Sequence, residues 1–235
     1  MLVGMERRDF LKLCAAGAAA AGAPALAADA RPQFYSRTLL IDEKGAPLRA
    51  SRVPVERNLI FHYPFAGTPC FLLNLGKPAK ASAMLKTIDN RPYEWKGGVG
   101  AGRSIVAYSA ICAHKLTYPT RDISFISYRA EKSPRNRFGN VIHCCSEHSQ
   151  YDPAEGGRVV AGPAPQPLAA ILLEHDPAID ELYAVGTLGG EMFNEFFEKY
   201  AFKLEIEHGG AAHQSIGKAT RVQELENYCK QQVKC

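Results

Sequence analysis

Two short segments of the chain each carry one thiol and one imidazole. The first is Cys112-Ala113-His114 and the second is Cys145-Ser146-Glu147-His148. Two cysteines and two histidines can hold a [2Fe–2S] cluster, with both thiolates on one iron and both imidazoles on the other. Neutral imidazoles leave the cluster less negative than four thiolates would, so it accepts an electron more readily. These residue types therefore predict a redox metal centre.

Cys144 offers a further thiol directly beside Cys145. The Cys-x-x-His spacing to His148 favours Cys145 as the ligand, and Cys144 remains the alternative. A structural zinc site is the other interpretation of such a Cys2His2 set, and would make the chain a zinc-stabilised binding module without a redox role. The remaining histidines lack paired spacing and are interpreted as ordinary surface or core residues: His62, His143, His175, His208 and His213.

The residues that follow the second segment suit the surroundings of a cluster. Ser149 and Tyr151 lie in the sequence Ser-Gln-Tyr-Asp, and hydroxyl donors near cluster sulfurs stabilise the reduced, more negative state. Pro163 lies in the sequence Gly-Pro-Ala-Pro, which begins at Gly162. This stiff loop is suited to covering the cluster and limiting the access of water.

Together these motifs resemble the Rieske iron–sulfur domain over roughly residues 100–190. The similarity is to Rieske subunits of respiratory quinol-oxidising complexes and to small subunits of the arsenite-oxidase type. It implies one [2Fe–2S] cluster per chain, in a small subdomain set on a larger antiparallel β sandwich. The implied ligands are Cys112, His114, Cys145 and His148. The two histidines are then expected at an exposed tip, where they meet the electron donor.

The chain departs from the pattern of that family at two points. Family members of the quinol-oxidising complexes carry an extra cysteine in each cluster loop, and these two cysteines form a disulfide. The equivalent positions here are Thr117 and Glu147, so this bridge is expected to be absent. Ser149 also follows His148 directly, which makes the loop one residue shorter and puts its hydrogen bond to the cluster in question.

The function implied by the resemblance is one-electron transfer, as a subunit or partner of an exported respiratory oxidoreductase, with quinol oxidation as one role. The alternative is the small electron-transfer subunit of a molybdenum-dependent arsenite-oxidase-like enzyme. The expected partner is a cytochrome or a catalytic subunit, together with a quinol in the first case. The sequence indicates no catalytic nucleophile, so no catalytic residue is assigned.

The N-terminus has the pattern of a twin-arginine export signal over residues 1–27. Arg7 and Arg8 precede a weakly hydrophobic alanine-rich run, and Ala25-Leu26-Ala27 fits the rule for a cleavage site. This predicts a periplasmic location, with membrane association only through a partner or an uncleaved signal. No uncharged apolar run reaches the roughly 18 residues of a transmembrane helix. The formal net charge of +4 gives no electrostatic case for nucleic-acid binding.

Short apolar runs that alternate with glycine and proline turn signals predict an all-β fold. We expect a Rieske-like antiparallel β sandwich over residues 28–190, with the cluster-binding part at about residues 100–168. The glycine-rich segment 97–102 is expected to be a tight turn, because no helix pattern follows it. The expected strands are Ser36–Ile41, Cys70–Leu75, Ser104–Ile111, Ile123–Tyr128, Asn140–Cys144, Arg158–Val160, Ala169–His175 and Glu181–Val185.

A C-terminal extension over residues 191–235 follows the expected domain. Met192–Tyr200 is predicted to be a short helix, Ala201–Glu207 a strand and Thr220–Val233 an amphipathic helix. Export to an oxidising compartment permits disulfides among the cysteines outside the ligand set. Those cysteines are Cys70, Cys144, Cys229 and Cys235, which allow three pairings.

Overall fold

β strands make up most of the regular structure of this chain. The computed structural model describes residues 30–134 and 137–235, so the predicted export signal lies outside the described residues. The prediction of an all-β fold with a helical C-terminal extension is confirmed. Across the described ranges, no helix combines the length and the hydropathy that crossing a bilayer requires.

Eight strands form the largest sheet. They are β1 (Gln33–Ile41), β2 (Leu59–His62), β3 (Pro69–Asn74), β6 (Ile105–Ser109), β12 (Ala170–Asp176), β13 (Glu181–Leu188), β14 (Ala219–Arg221) and β15 (Gln223–Glu224). Their order across the sheet is β14-β1-β13-β12-β6-β3-β2-β15. Neighbouring strands are antiparallel, except for the parallel pair β1 and β14.

The central strands of this sheet are buried on both faces. Side chains alternate along β3, so that Phe71 and Leu73 join one apolar cluster while Cys70 and Leu72 join a second cluster on the opposite face. All four residues are at most 1% exposed. Because both faces of β3 are packed against apolar clusters, nearly all of its residues are apolar. This unbroken apolar run is why the strand could be predicted from the sequence.

A second, four-stranded sheet carries the second thiol–imidazole segment. Its neighbouring strands are, in order, β8 (Ile126–Arg129), β9 (Val141–Cys144), β10 (Ser149–Asp152) and β11 (Arg158–Ala161). β9 and β10 form a hairpin in which Cys144 pairs with Ser149. Ile142 and Tyr151 belong to the same apolar cluster as Phe71 of the large sheet. The small sheet therefore packs against one face of the large sheet.

Two pairs of short strands complete the β structure. β4 (Ala83–Lys86) pairs with β5 (Pro92–Trp95), and β7 (Ile123–Ser124) pairs in parallel with β16 (Gln231–Gln232). The second pair brings the end of the chain beside the small sheet. Residues 97–102 form the turn between β5 and β6, as predicted.

The predicted strand Ala201–Glu207 is wrong, because these residues are helical and form the part of α1 (Phe193–His208) that follows a kink at Tyr200. The apolar residues that alternate in Ala201–Glu207 do not share one environment. Leu204 is 1% exposed, whereas Phe202 and Ile206 are 81% and 70% exposed. Leu204 instead follows Phe193, Phe196 and Phe197 at helical spacing, and these four residues share one apolar cluster.

The predicted helix Thr220–Val233 is also wrong, because only α2 (Leu225–Tyr228) is helical there. The buried residues of this segment face different parts of the core: Val222 joins the cluster around Leu72, and Cys229 joins the cluster around Phe71. The backbone meanwhile completes the edges of sheets through β14, β15 and β16. Tertiary pairing therefore overrides the apparent helical spacing.

Candidate metal centre

Two loops carry the residues that the sequence singles out. Loop 1 (residues 112–118) follows β6 and is closed by hydrogen bonds between Cys112 and its own end. The Cys112 amide donates to Thr117 O at 2.8 Å, and the Leu116 amide donates to Cys112 O at 2.9 Å. Loop 2 (residues 144–149) is the turn between β9 and β10. The two loops therefore present their first cysteines from two different sheets.

The structure brings the thiols of Cys112 and Cys144 together. Both side chains are buried, at 1% and 0% exposure. Cys144 is the largest influence on the Cys112 thiol, and together with a hydrogen bond from Tyr151 it lowers the pKa of Cys112 below its usual value. The pKa of Cys144 is raised, because it donates to Cys112 and is buried. The pair thus favours a thiolate at Cys112.

Each of these cysteines also faces two backbone amides of its own loop. Cys112 is hydrogen-bonded by the backbone of His114 and Lys115, and Cys144 by the backbone of Ser146 and Glu147. In both loops the amides belong to the second and third residues after the cysteine. Successive amides turned toward one atom form a site for negative charge. The matching pattern makes Cys144 the structural counterpart of Cys112.

Cys145 lies outside this pair, and its disulfide bond contradicts the prediction that it is a ligand. Its Sγ is bonded to Sγ of Cys235, with an S–S distance of 2.16 Å and a Cα–Cα distance of 5.7 Å. A sulfur in a disulfide is not a thiolate, and the thiolate is the form that binds a metal. The Cys-x-x-His spacing pointed to Cys145 because spacing along the chain carries no information on strand register. In the β9–β10 hairpin, the residue paired with Ser149 is Cys144.

The predicted disulfide pairings are likewise wrong. Cys235 is disulfide-bonded, but its partner Cys145 was assigned to the ligand set. The other three candidates, Cys70, Cys144 and Cys229, are buried free thiols. The pairing of β16 with β7 carries the end of the chain to loop 2, and the sequence gives no sign of this contact.

His114 carries a buried imidazole nitrogen that is free to bind a metal. Its Nδ1 is buried and has no hydrogen-bond partner. Buried polar atoms in folded proteins are nearly always paired, and an imidazole nitrogen is a common metal ligand. With two adjoining thiols, backbone amides that favour negative charge and an unsatisfied imidazole, the donor set fits a metal cluster held by sulfur and nitrogen.

His148 lies in loop 2 and is exposed, with a backbone φ of 60°. Its ring centroid is 5.7 Å from that of His143. Ring nitrogens of these two histidines and the Cys235 Sγ all lie within 4.8 Å of one another. Because this sulfur belongs to the disulfide, the trio is not a metal-binding set in the oxidised chain. His143 is otherwise a core residue, and burial is the main cause that lowers its pKa to about 4.

Tyr151 supplies a hydroxyl to the thiol pair. Its Oη lies 3.2 Å from Cys112 Sγ and accepts a hydrogen bond from the Ala113 amide at 3.1 Å. Burial is the main cause that raises the pKa of Tyr151, whereas the pKa of Cys112 is lowered. The phenol therefore keeps its proton and donates it to Cys112. Ser149 Oγ is buried close to this hydroxyl without a well-formed hydrogen bond.

The Gly-Pro-Ala-Pro segment lies against loop 2 through its glycine. A Cβ built on Gly162 would lie 2.4 Å from His148 O and 2.5 Å from Ser149 Cα. Gly162 also has a φ of 85°, which side-chain-bearing residues rarely adopt. Pro163 itself is exposed. The glycine is thus the residue of this segment that closes on loop 2.

Gly162→Ala is expected to lower the free energy of unfolding by about 1–3 kcal/mol more than Gly45→Ala does. Gly45 has the same φ of 85° but nothing within 4 Å of a built Cβ, so it reports backbone strain alone. Urea unfolding of both variants measures the difference. Equal losses of unfolding free energy in the two variants would mean that loop 2 shifts to make room for the added methyl group without destabilising the fold.

Lys115 and Glu147 link the two loops directly. Their ion pair has an Nζ–Oε1 distance of 2.9 Å, with side chains 57% and 35% exposed. Lys115 is the main cause that lowers the pKa of Glu147. Glu147 and Thr117 stand at the two positions where the family carries its loop-bridging cysteines, so that bridge is absent from this chain, as expected. An exposed ion pair contributes little to holding the loops.

No protein-family profile matches the sequence. The chain is similar to the crystal structure of the soluble domain of the Rieske protein II (soxF) from Sulfolobus acidocaldarius. The identity is 26% over 65% of this chain and 78% of that chain, with a TM-score of 0.45.

Proposed function

We propose that this chain is a one-electron carrier that holds a Rieske-type [2Fe–2S] cluster between loop 1 and loop 2. The ligands in this proposal are the thiolates of Cys112 and Cys144 and the imidazoles of His114 and His148. The observation that carries it is that the Cys112 and Cys144 thiols are buried in the same cluster, with the Tyr151 hydroxyl 3.2 Å from Cys112 Sγ. Cys144 thereby replaces Cys145 in the ligand set that the sequence favoured.

A bound [2Fe–2S] cluster of this ligand type accepts and releases a single electron at a relatively high potential. The chain's own groups set the conditions for that exchange. Backbone amides of loops 1 and 2 and the Tyr151 hydroxyl donate toward the sulfurs, which favours the more negative, reduced state. The exposed His148 supplies a route of contact for a redox partner.

Tyr151→Phe is expected to lower the reduction potential by about 50 mV. Hydrogen bonds to charged groups contribute about 1.5–3 kcal/mol, and this one is present in both oxidation states, so only its strengthening on reduction shifts the potential. A strengthening of about 1.2 kcal/mol corresponds to about 50 mV, since about 1.4 kcal/mol equals about 59 mV for one electron. A spectroscopic redox titration measures the shift. Tyr128→Phe is the matched control, since its hydroxyl donates to Asn140 Oδ1 at 2.9 Å and not to a thiol. A potential unchanged by Tyr151→Phe would contradict the assigned donor role.

The proposal also covers the redox partner of the chain and its location in the cell. We propose that the folded chain is exported by the twin-arginine route to the periplasm and works with a respiratory oxidoreductase. Affinity purification from membranes and periplasm tests this. A haem-containing partner and quinol-dependent reduction support the quinol-oxidising role, whereas a molybdenum-containing partner supports the arsenite-oxidase-like role.

Anaerobic purification of the mature chain tests the proposed cofactor. We expect equal amounts of iron and acid-labile sulfide, a brown colour and a rhombic EPR signal after reduction. A colourless chain with one zinc per molecule would overturn the proposal and support the zinc-stabilised binding module instead.

A further inference from the structure

The C-terminal extension contacts both loops of the proposed centre. On one side, α1 packs against loop 1. Leu116 and Tyr118 share an apolar cluster with Phe196, and the rings of Tyr118 and Phe196 lie 4.9 Å apart. Lys199 Nζ also donates to Lys115 O at 2.7 Å. Loop 1 is therefore supported by an apolar contact and a backbone hydrogen bond from the same helix.

The last residues of the chain hold the other side. The Val233 amide donates to Ser124 O at 2.8 Å, and Arg129 Nη2 donates to Val233 O at 2.6 Å. Two residues later, Cys235 is disulfide-bonded to Cys145 of loop 2. Arg129 lies at the end of β8 in the small sheet. The terminal segment is thus anchored beside loop 2 before it forms the covalent bond.

We propose that Cys235 is a positioning residue, whose disulfide with Cys145 holds loop 2 so that the Cys144 thiol stays beside Cys112. This rests on the proposed function, in which Cys144 is a ligand. Cys145 directly follows Cys144, so the disulfide restrains the backbone next to the thiol. Among the described residues, the side-chain ion pair between the two loops is the exposed Lys115–Glu147 pair, which contributes little in water.

The disulfide is suited to this task because it joins loop 2 to a segment that is itself anchored, through Val233, to Ser124 and to Arg129. Restraint applied to the residue after Cys144 should act mainly on loop 2, since α1 supports loop 1 independently. The proposal therefore predicts a local loosening of one loop rather than an equal change in both.

The test is the double variant Cys145→Ser/Cys235→Ser, which breaks the disulfide and leaves no free thiol at either of its two positions. Native-state hydrogen exchange measured by mass spectrometry should show at least about tenfold faster exchange in residues 144–149, with residues 112–118 within about twofold of the wild type. Iron release to a chelator should accelerate by a similar factor. Lys234→Ala is the control, because it alters the same exposed segment and leaves the disulfide intact.

Three outcomes separate the two proposals. Unchanged exchange in loop 2 of an iron-loaded chain would overturn the positioning role and leave the proposed function standing. Equal acceleration in both loops would also overturn it, because the disulfide would then be a general stabiliser. A wild-type chain without iron, in which the double variant still loosens loop 2 selectively, would support the positioning role and overturn the proposed function.

Discussion

Cys144→Ser is expected to abolish cluster binding, with iron and acid-labile sulfide falling to background and the rhombic EPR signal lost. The reason is the pairing of Cys144 with Cys112: both thiols are buried, each shifts the pKa of the other, and backbone amides of their own loops act on both. A serine hydroxyl at this position is far less acidic than a thiol and is a poor iron ligand. Metal analysis after anaerobic reconstitution measures the effect.

Cys145→Ser is the matched control, because it changes the neighbouring residue by the same chemical step. It breaks the disulfide with Cys235 but leaves the thiols of both Cys112 and Cys144 available as ligands. Freshly reconstituted Cys145→Ser should therefore carry the full complement of iron and sulfide, even where it releases them faster. The reverse pattern, with iron lost in Cys145→Ser and kept in Cys144→Ser, would restore the ligand set that sequence spacing favoured.

The fold could be predicted from the sequence where one strand carries its own signal. The central strand β3 is buried on both faces, and its unbroken apolar run marked it without any knowledge of its neighbours. The short strands β4 and β5 were missed. They pair mainly with each other, and their buried residues alternate with exposed Met84 and Glu94 over only four positions each. A four-residue alternation is too short to stand out.

The candidate site shows the same limit at the level of single residues. Residue types and spacing singled out Cys112, His114 and Tyr151 as candidates, and the structure places the Tyr151 hydroxyl beside the Cys112 thiol. The choice between Cys144 and Cys145 depended on the register of a hairpin and on the position of the last residue of the chain. The local sequence determines neither the hairpin register nor the position of Cys235, because both depend on pairing between segments that are distant in sequence.

The C-terminal extension explains how the two loops are held in place without a disulfide between them. The motif resembles one in which a disulfide braces the two loops, yet this chain has Thr117 and Glu147 at the equivalent positions. In the structure, each loop is held from outside instead: loop 1 by α1, and loop 2 by the terminal segment. Within the described part of the chain, the two loops are therefore supported by contacts with a separate segment and not by a covalent bond between them.

Phe196→Ala is expected to lower the free energy of unfolding by about 3–5 kcal/mol, the usual cost of removing a buried phenylalanine ring. Phe196 is fully buried and lies edge-to-face with Tyr118 of loop 1 at 4.9 Å. The substitution removes these contacts without lowering helix propensity, because alanine is the best helix former. Urea unfolding followed by circular dichroism measures the change through the shift in midpoint.

Phe202→Ala makes the same substitution on the same helix at a position that is 81% exposed, and should alter the free energy of unfolding by about 0.5 kcal/mol or less. The contrast isolates burial against loop 1 from the effect of changing phenylalanine to alanine in α1. If both variants unfolded like the wild type, α1 would be a loosely attached appendage. Loop 1 would then have to keep its shape through its own hydrogen bonds, and the extension would brace the site from the terminal segment alone.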